Sequence, residues 1–212
     1  MSFTAISNPY IYRGQSEIEF FLDDENKLSV TIDTERLHMR SNIATEMEYG
    51  HYASLFGDPH VMEKFATGQI KTKEEITARI NGVWVKRWRE NDPYAGFAVF
   101  HQETDDFLGH IVLGHGTQAG ESELAYLLKR PHWNKGYGTE AVRAVVREYA
   151  PATVQEGYTL EGKPLETITA TVRPDNPASE RILQKVGMHF VRAEEKQSAL
   201  RHHYSIGLSE LS

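Results

Sequence analysis

The 212-residue chain contains no cysteine. That absence excludes disulfides, thiolate metal ligands and any mechanism that holds an acyl group on a cysteine. No run of about 18 apolar residues occurs, and the stretch from Met1 to Phe20 lacks a basic start followed by an apolar core, so neither a membrane span nor a secretory leader is expected. Positive charge is in short supply: 23 Lys and Arg against 30 Asp and Glu leave a formal charge of −7. That balance argues against nucleic acid as a partner and mildly favours cationic substrates through long-range attraction; with the missing cysteines it fits a cytoplasmic protein. Ten histidines invite a metal, yet no His-x-x-x-His or His-Glu-x-x-His occurs, and the adjacent His202 and His203 fall on opposite faces of a strand. No metal is expected. Two familiar phosphate-binding signatures are also missing: there is no Gly-Lys-Ser/Thr ending, and no third glycine at dinucleotide-fingerprint spacing.

What is present is concentrated in residues 130–146, where Gly136 and Gly138 run straight into an amphipathic helix. Both glycines can take positive φ without steric cost and leave their amides uncovered. Val142, Val145, Val146 and Tyr149 recur at i, i+3, i+4 and i+7, which gives the helix one buried face. Residues 122–128 before the loop read as a buried strand. A strand, a glycine loop and a helix N-terminus in that order favour an anion at the helix start, where unpaired N–H groups and the positive dipole end coincide.

The length suits one well-buried core. Residues 1–32 form an extension in which two strand-like runs flank a polar turn within 17–32, the pattern of a hairpin. The main domain, residues 33–212, opens with a strand at 36–40 and a helix at 44–56 stopped by Gly57-Asp58-Pro59. Thr72 and Glu75 have capping-box spacing and open a helix to about residue 90 whose Ile76, Ile80, Val83 and Trp84 share a face. Strands at 96–102, 107–114 and 122–128 form a meander. After the glycine helix come a polar insertion at 152–164, a strand at 166–173, a helix with Asn176 as N-cap, Pro177 at its first position and Gly187 past its end, and closing strands at 189–196 and 202–208.

Five segments in order now resemble one family. They are Asp33-Thr-Glu-Arg-Leu37, Leu55-Phe-Gly-Asp-Pro-His-Val-Met62, residues 123–128, Trp133-Asn-Lys-Gly-Tyr-Gly-Thr-Glu-Ala141 and Asn176-Pro-Ala-Ser-Glu-Arg-Ile-Leu-Gln-Lys-Val-Gly-Met188. Over roughly residues 33–208 the chain resembles the GNAT superfamily of N-acetyltransferases, in particular the branch of ribosomal-protein N-terminal acetyltransferases. The resemblance implies an α/β (α+β) fold: a central mixed, mostly antiparallel sheet of about seven strands, splayed between the fourth and fifth and flanked by about four helices. It implies acetyl-CoA as cosubstrate, with the pyrophosphate on the amides of Lys135, Gly136, Gly138 and Thr139 and the pantetheine arm along the fourth strand. Lys129, Arg130 and Lys135 add positive charge there, and Asn176 contacts the pantetheine or holds its loop.

Acetyl transfer to an amine needs a base, an oxyanion donor and an acid. A free alkylamine with a pKa near ~10.4 is mostly protonated at neutral pH, so a positioned base helps. By resemblance the base is Glu123, and the oxyanion donor is the backbone amide of Leu127 or Leu128. Many relatives use a tyrosine as the acid where this chain has Leu183; in the branch it most resembles a serine serves instead, and Ser179 stands at that place. Without a cysteine, direct transfer in a ternary complex is expected rather than ping-pong. His110 and His115 are secondary base candidates. Trp84, Trp88 and Trp133 read as packing, with Trp88 also able to shape an acceptor groove. The acceptor is a primary amine, either a protein N-terminus or a small amine, set by the loops at 57–72 and 110–121. The alternative is a coenzyme-binding module that has lost catalysis. The N-terminal hairpin and the 152–164 insertion leave a homodimer contact open.

Overall fold

The computed structural model describes residues 10–196 and 199–211. Apolar residues at alternate positions lay down the first four strands, β1 (Tyr10–Arg13), β2 (Glu17–Leu22), β3 (Leu28–Asp33) and β4 (Leu37–Ser41). Ile18, Phe20, Leu28, Val30, Ile32, Leu37 and Met39 are all buried on one face. Helix α1 (Glu46–Phe56) follows, capped by the Thr45 side chain, and then the single turn α2 (Pro59–Met62), capped by Asp58. The capping box between Thr72 and Glu75 forms as expected and opens a continuous rod: α3 (Lys73–Arg79), a π-helical turn (Ile80–Val85) and α4 (Lys86–Arg89). Three antiparallel strands come next, β5 (Gly96–His101), β6 (Phe107–His115) and β7 (Glu121–Leu128).

After the glycine loop runs α5 (Tyr137–Ala144), a π-helical turn (Val145–Tyr149) and α6 (Ala150–Gln155). The helix therefore reaches into what the sequence reads as a polar insertion. Pro151 marks a break in the sequence, but it sits in the first turn of α6, just after the wider turn, where its missing N–H is not needed. The remainder of the insertion is a small hairpin, β8 (Thr159–Leu160) with β9 (Lys163–Pro164), anchored by buried Leu160 and Leu165. Then come β10 (Thr167–Val172), α7 (Pro177–Lys185), β11 (His189–Lys196) and β12 (Ala199–Gly207).

The large sheet has ten strands in the order β1-β2-β3-β4-β5-β6-β7-β10-β12-β11. The seven expected strands are β4 to β7 and β10 to β12. The other three belong to the N-terminal extension, which lengthens the same sheet and packs on the back of the glycine helix. Phe20 stacks on Tyr149 at 5.7 Å, and the Ser16 N–H and hydroxyl donate to the buried Glu148 carboxylate at 2.8 and 3.1 Å. Each face of the sheet carries its own apolar core. Phe97, Val99 and Leu124 join Val142, Val145, Val146 and Tyr149 on one side, and Ala98, Phe100 and Leu127 join Tyr52, Leu55, Ile80 and Trp84 on the other.

One pairing in the large sheet is parallel, β7 with β10, and it is short. It runs from Thr167 opposite Glu121 to Ala170 opposite Leu124. Beyond Leu124, β7 continues to Leu128 with a strand partner among the described residues on its β6 side only. The sheet opens there into a V.

Candidate active site

The V is the mouth of a cavity of about 1480 Å³ lined from both faces of the sheet. Which backbone groups of β7 look into it follows from the ladder. Lys129 N–H donates to Leu108 and Gly116 N–H to Glu121, so the odd-numbered residues of β7 exchange their hydrogen bonds with β6. The Leu127 amide is therefore committed to β6, which corrects the expectation that it could meet an oxyanion. Leu128 and, unanticipated, Tyr126 present their N–H groups on the open side. Trp133, read from the sequence as packing, is 41% exposed, and its indole N–H donates to the Leu128 carbonyl at 2.7 Å, closing off that end of the free edge.

The glycine loop forms the second wall. Gly136 has φ +87° and is the N-cap of α5, and among the described residues no side chain caps that helix. Its first-turn N–H groups therefore stay open toward the cavity, which Gly136, Gly138 and Thr139 line. Gly138, in contrast to the expectation, has helical rather than positive φ. It is small because α7 packs against it: a Cβ there would lie 3.1 Å from Ile182 Cδ1 and 3.6 Å from Leu128 Cδ1. Arg130 lines the cavity, whereas the Lys135 side chain is exposed and lies outside the lining; its carbonyl accepts from Arg36 Nη1 at 3.0 Å. Arg36 is the residue that sequence reading overlooked. Its Nε and backbone N–H both donate to the Glu140 carboxylate, which also accepts from Thr34 at 2.7 Å, and its guanidinium lies 4.7 Å from the Tyr137 ring centroid. The loop is thereby clamped to the turn before β4.

Helix α7 supplies the facing wall. The Asn176 side-chain oxygen accepts from Ser179 N–H at 3.3 Å, so the N-cap expectation holds, and both residues line the cavity. The Ser179 hydroxyl lies 2.7 Å from the Tyr126 hydroxyl. Burial pushes the Tyr126 phenol up to about 12, with the Ser179 hydrogen bond pulling it partly back. Leu183 is buried in the core, 1% exposed, and the hydroxyl that meets Ser179 comes from Tyr126 on the strand. Glu123 lines the cavity from β7, on the opposite face of the sheet from Tyr126 because the two are three residues apart on a strand.

A family model described as an acetyltransferase (GNAT) domain matches residues 36–189. The chain belongs to the GNAT acetyltransferases. It is 28% identical over 169 residues to the uncharacterized protein YkkB of Bacillus subtilis, covering 77% of this chain and 87% of that one. Among solved structures it resembles a GNAT-family acetyltransferase from Bacillus anthracis, with TM-score 0.67 and 22% identity over 84% of this chain and 98% of that one. It also resembles a spermidine N-acetyltransferase from Vibrio cholerae in complex with CoA and spermine, with TM-score 0.65 and 14% identity over 82% and 97%. The ribosomal-protein acetyltransferases RimL and RimJ are among its structural neighbours.

As a GNAT enzyme the protein uses acetyl-CoA, and the residues present fit that cosubstrate. The open helix start and Arg130 suit phosphate, and the free edge of β7 offers amides to the amide-bearing pantetheine arm. Both histidine candidates line the cavity. His110 is 2% exposed, held by the Phe97 carbonyl at 2.9 Å and the Tyr52 hydroxyl at 2.6 Å, and burial drives its pKa down to about 3, so it is already neutral but too weak to take a proton near neutral pH. His115 is engaged by Asp92 at 2.7 Å. Trp88 is buried, with its indole N–H donating to the Gly96 carbonyl, and Trp84 rather than Trp88 lines the cavity.

Proposed function

We propose that the enzyme transfers the acetyl group of acetyl-CoA to a primary amine by direct attack in a ternary complex. The observation that carries this reading is the placement of a carboxylate and a paired hydroxyl on opposite faces of one half-unpaired strand, both at a single cavity. The amine nitrogen adds to the thioester carbonyl carbon and loses its proton to Glu123, directly or through water. The carbonyl oxygen gains charge and is met by the open amides of Leu128 or Tyr126. As the carbon–sulfur bond breaks, the Ser179 hydroxyl protonates the departing thiolate and regains its proton from solvent across the neutral Tyr126 hydroxyl, while Glu123 gives the amine's proton to solvent, so both groups return to their starting states. The amide and free coenzyme A are the products. The phosphates rest on the first turn of α5 with Arg130 beside them, and Asn176 holds the start of α7 so that Ser179 keeps its position.

A general base of this kind contributes about 10² to 10⁴ in rate. Glu123→Gln is expected to lower kcat by an amount in that range and to remove the acidic limb of the kcat/KM profile, with coenzyme affinity unchanged. Unaltered rates in that variant would take Glu123 out of the reaction. Initial-velocity lines are expected to intersect, and parallel lines would instead indicate a covalent acyl-enzyme.

A further inference from the structure

We infer that the acceptor amine belongs to a molecule that also carries an anionic group, a carboxylate or a phosphate, received by Arg201 and Arg79. The inference rests on the acetyl-transfer reading and adds the chemical class of its acceptor. Eight Lys and Arg residues line the cavity against three Glu, in a chain whose formal charge is −7. Arg130, Arg181 and Lys185 lie on the glycine-loop turn and on α7, at the coenzyme end. The other five come from the segment between α2 and α3, the α3–α4 rod and β12. Three of these already have partners: Lys71 pairs with Glu75 at 3.8 Å, Arg87 lies 3.9 Å from Asp92 and donates to the Tyr94 carbonyl, and Lys64 donates to the Asp175 carbonyl.

Arg79 and Arg201 have no carboxylate within ion-pair distance among the described residues. Arg79 is exposed, with its guanidinium 5.5 Å from the Trp84 ring centroid, and Trp84 also lines the cavity. Arg201 is 3% exposed. One of its amino groups donates to the Ala66 carbonyl, and the nearby Arg173 is itself paired with Asp175. Burial first, and Arg173 second, weaken its hold on the proton, with Asp175 acting in the opposite direction. A neutral amide side chain could satisfy Ala66 equally well, so holding that loop does not require a buried cation. A planar, permanently charged guanidinium facing a cavity matches a carboxylate or phosphate oxygen pair. The whole-chain charge points toward cations, but it acts over distances that salt screens within about 8 Å, whereas these two groups meet the acceptor at contact.

The test is thiol release from acetyl-CoA with matched acceptors. The set comprises tripeptides with a free N-terminus and Asp, Asn or Lys at the second position, glucosamine with and without a 6-phosphate, and spermidine. The acid-bearing member of the peptide pair or of the sugar pair is expected to be preferred by ~10- to 100-fold in kcat/KM, and which pair responds identifies the source of the anion. Arg201→Met should abolish most of that preference through KM, Arg201→Lys should restore part of it, and coenzyme A affinity should stay as in the wild type. Arg79→Gln, at an exposed position, should reduce the preference without threatening the fold. Equal or better use of neutral or polycationic acceptors overturns the inference, as does loss of coenzyme binding in Arg201→Met, which would give the arginine to the cosubstrate. If no amine is acetylated, the acetyl-transfer reading falls. Calorimetric titration of the enzyme–coenzyme A complex with the Asp tripeptide then decides the rest: Arg201-dependent binding keeps the anion site, and no binding removes both.

Discussion

Exchanging each glycine of the loop for alanine should have unequal effects, although the two are one residue apart. At Gly136 the backbone has φ +87°, where an L side chain costs about 1–2 kcal/mol. The new Cβ would also stand 3.2 Å from Arg36 Nη2, an atom tied into the Glu140 clamp and therefore slow to move aside. For a chain of this size the loss corresponds to a fall in melting temperature of about 2–8 °C. Coenzyme affinity depends on what the strained loop does. If it keeps its shape, the strain is the same with and without ligand and affinity is unchanged; if it relaxes, the helix start turns away and affinity falls by at most the strain released, about five- to thirtyfold. At Gly138 the backbone is helical, so alanine gains up to about 1 kcal/mol of helix propensity against one close contact with the flexible Ile182 Cδ1 at 3.1 Å. The net effect should stay within about 1 kcal/mol. Thermal unfolding with calorimetric titration of coenzyme A reads both variants, and Gly136→Asn, which tolerates the left-handed region, should recover much of the loss. A Gly136→Ala protein as stable as the wild type, or a Gly138→Ala protein destabilised as much as Gly136→Ala, would refute the distinction.

Other outcomes follow from the buried groups. Ser179→Ala should lower kcat by about 10² or more and leave coenzyme affinity intact, and Tyr126→Phe should give a smaller loss by removing the partner hydroxyl. With Tyr126 held near 12, its ionisation should add no alkaline limb to the rate profile below about pH 10. The folded protein keeps His110 neutral down to about pH 3, while the unfolded chain binds that proton near 6.5. This stabilisation is complete above pH 6.5 and declines as the pH falls toward 3; at pH 5 roughly 2 kcal/mol should be gone. Urea midpoints of the wild type and His110→Gln across that range check it, and equal slopes would contradict it.

The parts legible in the sequence are those set by neighbours in the chain. The valine face of α5, the Thr72–Glu75 capping box and the Asn176 cap all depend on spacings of three to seven residues, and each is present. The parts that could not be read depend on register and packing between distant segments. Whether the amide of Leu127 or of Leu128 is open depends on how β6 pairs with β7. The meeting of Tyr126 with Ser179 spans 53 residues and the Arg36–Glu140 clamp 104, and neither leaves a local pattern. Pro151 concealed a helix because its local meaning is a break, and only the π-helical turn before it makes the continuation comfortable. The docking of β1–β3 rests on Glu148 and Tyr149, whose roles need the partner surface to be seen.

The strand order also divides the chain in time. From β1 to β7 every strand pairs with the next in sequence, an antiparallel meander of short-range closures, whereas β10 reaches β7 only through a parallel crossover that must first fold α5 and α6. Loop-closure entropy favours the meander forming first. Glu123 and the Tyr126 hydroxyl belong to that early half, and Asn176, Ser179 and Arg201 to the late one. Pulse-labelled hydrogen exchange should find β4–β7 protected before β10–β12, and simultaneous protection would argue against it. The reactive centre is then a seam between two generations of structure, and a chain halted before residue 167 would keep its proposed base while never acquiring its proposed acid.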